Sequence, residues 1–145
     1  MAEFTYNPIQ LVEPNQAVIF NTSIGCAKGY VLHRNESGLV TLRGIVNNPQ
    51  ACFARYQCTF NGNIAVPTGE TVGPIAVALA IEGEAIQTSK AIVTPAAVDN
   101  YFNVTSTAFI TVPRGCCPDI SVQNVSAGSV PINVQNANLV ITRVA

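Results

Sequence analysis

The residues of this chain that could do chemistry are few. His33 is the single histidine, so a Ser-His-Asp relay would have to use it as base. It lies in Leu32-His33-Arg34-Asn35, beside a cation at the end of an apolar run, and no Gly-x-Ser-x-Gly elbow occurs. Glu82 and Glu84 flank Gly83 and could share acid and base roles as a carboxylate pair. In a tight turn the same two residues serve as solvated charge. The five cysteines are Cys26, Cys52, Cys58, Cys116 and Cys117. An odd count cannot close into an intrachain disulfide framework. No Cys-x-x-Cys pair occurs, and with one histidine a zinc site would need mostly thiolates. Cys52 and Cys58 are six apart on one strand-like run, too far along it to bond to each other. The five read as free thiols, which behave as small hydrophobes where buried. Arg114 could activate Cys116 or Cys117, but no second histidine serves them; the vicinal pair could instead join chains under oxidising conditions. Gly62, Gly69 and Gly73 lie between strand-like runs, so no phosphate-cradling loop is read. No catalytic residue, metal or cofactor is expected.

Composition sets the frame for these residues. Of 145 residues only 15 are charged, 7 Lys or Arg and 8 Asp or Glu, or 10% against about 25% in an average soluble domain. Hydrophobic residues make up 48% of the chain and mean hydropathy is +0.32, which excludes disorder. A folded monomer of this size exposes roughly 7,000 Å², so its charges would be far sparser than on an ordinary soluble surface. Part of that surface is therefore expected to be hidden against copies of the chain or a partner. A net charge of -1 with scattered basic residues gives no footprint for nucleic acid. No apolar run is long enough for a transmembrane helix, and residues 1–8 lack a signal-peptide pattern. The expectation is synthesis in a cytoplasm, with no nucleic acid and no membrane as partner.

The elements that must position these residues read as strands. Cys52, Ala54, Tyr56, Cys58 and Phe60 share one face of residues 52–60, with Arg55, Gln57 and Thr59 on the other. Residues 75–81 alternate Ile75, Val77, Leu79 and Ile81 with Ala76, Ala78 and Ala80. Both faces are apolar, which predicts cover from the core on one side and from a neighbouring subunit on the other. Glu82-Gly83-Glu84 reads as a tight turn and residues 85–88 as the returning strand. Further strands are predicted at 17–20, 29–33, 39–44, 101–105, 108–112, 120–124 and 137–144, separated by Pro, Gly and Asn turns. A helical turn could sit at 94–99. About ten short strands in one domain over 1–145 predict an all-β antiparallel sandwich.

In order along the chain, several segments resemble the jelly-roll shared by tumour necrosis factor, the globular head of complement and the heads of collagen-like spore-surface glycoproteins. Residues 14–21 (Pro-Asn-Gln-Ala-Val-Ile-Phe-Asn) resemble the first strand of those heads, residues 38–44 the entry to the first Greek key, and the strand 53–60, with Asn61-Gly62-Asn63 after it, the core aromatic strand. Residues 78–86 are similar to a hairpin of the bacterial heads, and the close Val134-Gln135-Asn136-Ala137-Asn138-Leu139-Val140-Ile141-Thr142-Arg143-Val144 to their last strand. No collagen-like stalk precedes residue 14. The resemblance implies a homotrimer around a threefold axis lined by apolar sheet faces. Tyr56, Phe60, Val77, Leu79, Phe102 and Phe109 are the candidates for its interface or for the core. The function expected is that of a non-enzymatic structural protein, a phage virion decoration or surface subunit first and a spore surface second. The alternative is a ligand-binding head recognising a carbohydrate or receptor. Loops free of clustered aromatics and carboxylates favour assembly.

Overall fold

Alternation in the aromatic run builds a strand of 13 residues, Phe53–Ala65, whose inward side chains are fully buried. The computed structural model describes residues 2–24, 30–34, 36–46 and 49–144. In chain order the strands begin with β1 (Ala2–Tyr6), β2 (Gln10–Val12), β3 (Thr22–Ile24), β4 (Val31–His33), β5 (Val40–Leu42) and β6 (Phe53–Ala65). They continue with β7 (Ile75–Ile81), β8 (Glu84–Ala85), β9 (Ala91–Val93), β10 (Phe102–Pro113), β11 (Asp119–Asn124) and β12 (Ile132–Arg143). No α-helix occurs among the described residues; one 3-10 turn spans Gln87–Ser89.

The strands form two antiparallel sheets. The first runs β10-β6-β12-β1-β3, with β2 also on β12; the second runs β4-β5-β11-β7-β8, with β9 also on β7. Their inner faces meet in one apolar layer. Phe4, Phe20, Leu42, Tyr56, Phe60, Ile64, Ile75, Leu79, Ile110, Ile120, Leu139 and Ile141 belong to it. Two polar side chains that enter the layer are paired, as burial favours. Asn124 donates from Nδ2 to the carbonyls of Val12 and Val130. The Tyr56 hydroxyl donates to the carbonyl of Arg43 at 2.6 Å.

The sequence reading and the structure differ in several places. Residues 101–105 and 108–112 belong to the single strand β10. Residues 17–20 make two isolated bridges, Ala17 to Gln123 and Phe20 to Ser37, rather than a strand. The returning strand after Gly83 stops at Ala85, and the helical turn lies at 87–89 instead of 94–99. Gly29, at the start of one expected strand, lies outside the described residues, as does Cys26. The alanine face of β7 is the main correction. Ala76, Ala78 and Ala80 are buried within the chain itself, as are Ile75, Val77 and Leu79 on the other face. Gln123 stands opposite Ala78 and donates across to the carbonyl of Gly83, and Ser126 Oγ accepts the N–H of Ala76. Methyl side chains are short enough for these groups and the adjacent backbone to cover them, so no second subunit is needed there.

Gly44 ties the two sheets together at one end. Its N–H donates to the carbonyl of Cys116, and its carbonyl accepts the N–H of Gly115. A Cβ there would lie 2.2 Å from the Pro113 carbonyl oxygen, a backbone atom that cannot swing away. Nothing lies within 4 Å of a Cβ at Gly73. Gly44→Ala is therefore expected to lower stability by about 2 kcal/mol or more, while Gly73→Ala changes it by well under about 1 kcal/mol, as read by chemical denaturation.

Candidate functional site

His33 and Glu82, singled out for chemistry, are held in structural roles. His33 ends β4, its ring 4.7 Å from that of Phe4 and its Nε2 2.9 Å from the carbonyl oxygen of Ser37. That carbonyl sets the proton on Nε2, so the nitrogen a relay would use is already engaged. Glu82 and Gly83 both have positive φ, at 52° and 81°, and make the tight turn between β7 and β8. Glu82 then accepts the N–H of Asp119 on Oε1 and donates its own N–H to the Asp119 carbonyl. This carboxylate anchors the turn to β11.

The thiols divide by environment. Cys58 is buried in β6, and burial pushes it up to about 12. Cys52, Cys116 and Cys117 are exposed, and Cys52 is brought to the turn before Cys116 by the bond from Arg114 N–H to its carbonyl. Burial also raises the Tyr56 hydroxyl, against the pull of the Arg143 guanidinium, which lies 4.3 Å over the Tyr30 ring.

The six interface or core candidates separate along the same line. Tyr56, Phe60, Val77 and Leu79 are fully buried between the sheets and unavailable to another chain. Phe102, the first residue of β10, is 39% exposed and Phe109 is 54% exposed. Phe109 points outward because Ala108 and Ile110 on either side of it turn to the core, and Arg55 sits 5.0 Å over its ring.

Register dictates what surrounds Phe109 on the outer face of the first sheet. Thr105, Asn61, Asn138, Thr5 and Thr22 stand directly opposite one another on β10, β6, β12, β1 and β3. Thr107, Thr59 and Val140 form the next row, and Asn103, Asn63 and Gln135 flank the first on its other side. Asn103 Nδ2 donates to the Oδ1 atoms of Asn61 and Asn63, and Thr107 Oγ1 donates to Thr59 Oγ1. The face also carries charge: Glu3 on β1 continues the row of Thr107, Thr59 and Val140, and Arg55 lies beside Phe109. An apolar end is supplied by Phe109, Phe53 and Val144. This outer face is thus polar over most of its area, with charge at Glu3 and Arg55, and is not an apolar sheet face. Sequence reading missed it because Asn61-Gly62-Asn63 has the composition of a turn.

No family model matches the chain, and no curated protein sequence matches it. Among solved structures, the globular domain of zebrafish complement 1qA protein is similar to it, with a TM-score of 0.60 and 14% identity over 96% of this chain and 94% of that one. The sugar-binding EclA C-terminal domain matches at a TM-score of 0.43 and 19% identity, over 94% of this chain and 79% of that one. CBM35 from Cellvibrio japonicus Abf62 matches at 0.33 and 13%, over 95% and 99%. The last two scores are too low to carry a comparison. The first establishes the fold alone: this chain is an all-β jelly-roll sandwich, similar in fold to that complement domain.

Two measurements check the thiols. Brief alkylation of the native protein, read by peptide mass spectrometry, is expected to label Cys52, Cys116 and Cys117 and to spare Cys58 until the chain unfolds. Because burial keeps the Cys58 thiol protonated to higher pH, stability also depends on pH. Below about pH 9 both folded and unfolded chains hold the proton, and the burial of a neutral thiol contributes fully. Between about 9 and 12 only the unfolded chain ionises there, so stability falls by up to about 4 kcal/mol. Cys58→Ala is expected to flatten that alkaline decline in melting temperature.

Proposed function

We propose that this chain is a non-enzymatic structural head that works as a homotrimer, with the outer face of the first sheet turned toward two further copies. The observation that carries the reading is the uncharged Thr/Asn/Gln lattice of that face and its apolar end at Phe109, Phe53 and Val144. Neutral amides and hydroxyls lose far less on leaving water than charges do, and they regain hydrogen bonds across an interface. With 15 charges on a chain that exposes 7257 Å², a face of this breadth with charge at Glu3 and Arg55 alone among its paired rows accounts for part of the deficit. The similarity in fold to a complement head supports the threefold arrangement that the sequence resemblance implies. The setting that fits best is the surface of an assembled particle, a phage virion first and a spore coat second, after synthesis in the bacterial cytoplasm. A stand-alone ligand-binding head is the second reading, favoured by a hollow on the opposite sheet.

The test places charge at the centre of the face. Asn61 and Thr105 are exposed and point away from the core, so the double change Asn61→Lys, Thr105→Lys leaves the fold intact. Light scattering is expected to give the unmodified protein three times the 15.3 kDa of one chain and the variant a single chain, with the same circular dichroism. A variant that keeps the assembled mass would remove this face from the interface.

A further inference from the structure

On the outer side of the second sheet, away from the proposed interface, a hollow of about 590 Å³ opens over β4 and β5. Its centre is a row of side chains across three strands: Leu32 on β4 faces Thr41 on β5, which faces Asp119 on β11. Thr41 Oγ1 donates to Asp119 Oδ1, so the threonine oxygen and the second carboxylate oxygen present acceptors side by side. Asp119 is itself held by the two hydrogen bonds to Glu82. On the other side Ser37 Oγ accepts the N–H of Leu39, which leaves its O–H to donate, and its carbonyl fixes the His33 ring. Arg34 adds an exposed guanidinium that forms no ion pair among the described residues. Leu32 and Leu39, 48% and 49% exposed, form an apolar wall. In a chain this poor in charge, one hollow holds a cation, a carboxylate and two hydroxyls with capacity to spare.

We propose that this hollow binds a saccharide that bears a carboxylate, of the uronic acid class. Vicinal sugar hydroxyls each donate and accept, which suits the adjoining acceptors of Thr41 and Asp119 and the donor of Ser37. The C–H face of the ring packs on Leu32 and Leu39, and Arg34 takes the carboxylate through paired N–H bonds. A compact ammonium would engage Asp119 alone and leave Arg34, Ser37 and both leucines without a role. The volume falls within the range of small-ligand sites, and the short hydrogen-bonded loop at Ser37 keeps the site assembled before the ligand arrives. Because the hollow lies on the opposite sheet, binding does not depend on whether the chain is trimeric.

The test is a methyl NMR titration of the full chain with glucuronate and, separately, with glucose. Glucuronate is expected to shift the methyl signals of Leu32 and Leu39 in the millimolar range, at least tenfold more tightly than glucose. Arg34→Gln should remove that tenfold preference and leave glucose binding unchanged, while Asp119→Asn should weaken both sugars. A folded Arg34→Gln protein that keeps the preference overturns the role of Arg34. Absence of shifts at Leu32 and Leu39 with either sugar, or equal affinity for the two, overturns the proposal.

Discussion

Burying the inner faces of two sheets against each other fixes the register of every long strand, and register decides which side chains are left outside. In β6 the inward positions are Ala54, Tyr56, Cys58 and Phe60, and a slip of one residue would put Arg55, Gln57 and Thr59 into the core. β10 and β12 pair with β6 along most of their length and inherit its phase. One bulge is tolerated: the register of β12 shifts between Gln135 and Asn138, with Asn136 at a φ of 55°, the left-handed region that asparagine accepts more readily than most residues. The shift keeps Ala137 and Leu139 inward and returns Asn138 to the row with Asn61.

That single phase connects the composition to the function. Once the core has taken most of the Tyr, Phe, Ile, Leu and Val side chains, what remains outside on the first sheet is mainly Thr, Asn and Gln, with Glu3 and Arg55 as charges and Phe53, Phe109 and Val144 at one end. The second sheet carries Arg34 just after its edge strand β4 and Asp119 at the start of its central strand β11, and buries an alanine strand within the chain. One side of the sandwich is therefore suited to meet its own copy through neutral hydrogen bonds, and the other to stay wet with polar groups available. The shortage of charge is not uniform, and the breadth of neutral Thr, Asn and Gln on the first sheet gives it a physical meaning.

Much of this was legible locally. Period-two alternation in residues 52–60 and 75–81 needs no partner to be recognised, and both runs are strands as read. Other parts depend on contacts that sequence spacing does not display. Gln10 and Leu11 in β2 invert the usual pattern: Gln10 is buried because its amide bonds both backbone groups of Ile19, while Leu11 is 55% exposed. Gly62 reads as a turn residue but lies inside β6, where the Phe60 ring occupies the space of a side chain; a Cβ there would come within 2.9 Å of Cζ. Ala2, Phe4 and Tyr6 alternate, yet the first strand read from the sequence is 17–20, and β1 lies ahead of it at Ala2–Tyr6. Of the candidate residues, alternation could have separated Phe109 from Tyr56, since its neighbours in β10 are Ala108 and Ile110. The hollow rests on Thr41 and Asp119, which are 78 residues apart, and only the folded sheet brings them together.

The central claim is that the neutral face of the first sheet is hidden by two further copies of the chain. Sedimentation equilibrium of the unmodified protein at micromolar concentration tests it most directly. The account predicts one species with three times the 15.3 kDa mass of the chain, unchanged by added salt because no charge pairs hold it. A single 15.3 kDa species across that range would contradict it and leave the charge deficit without this explanation.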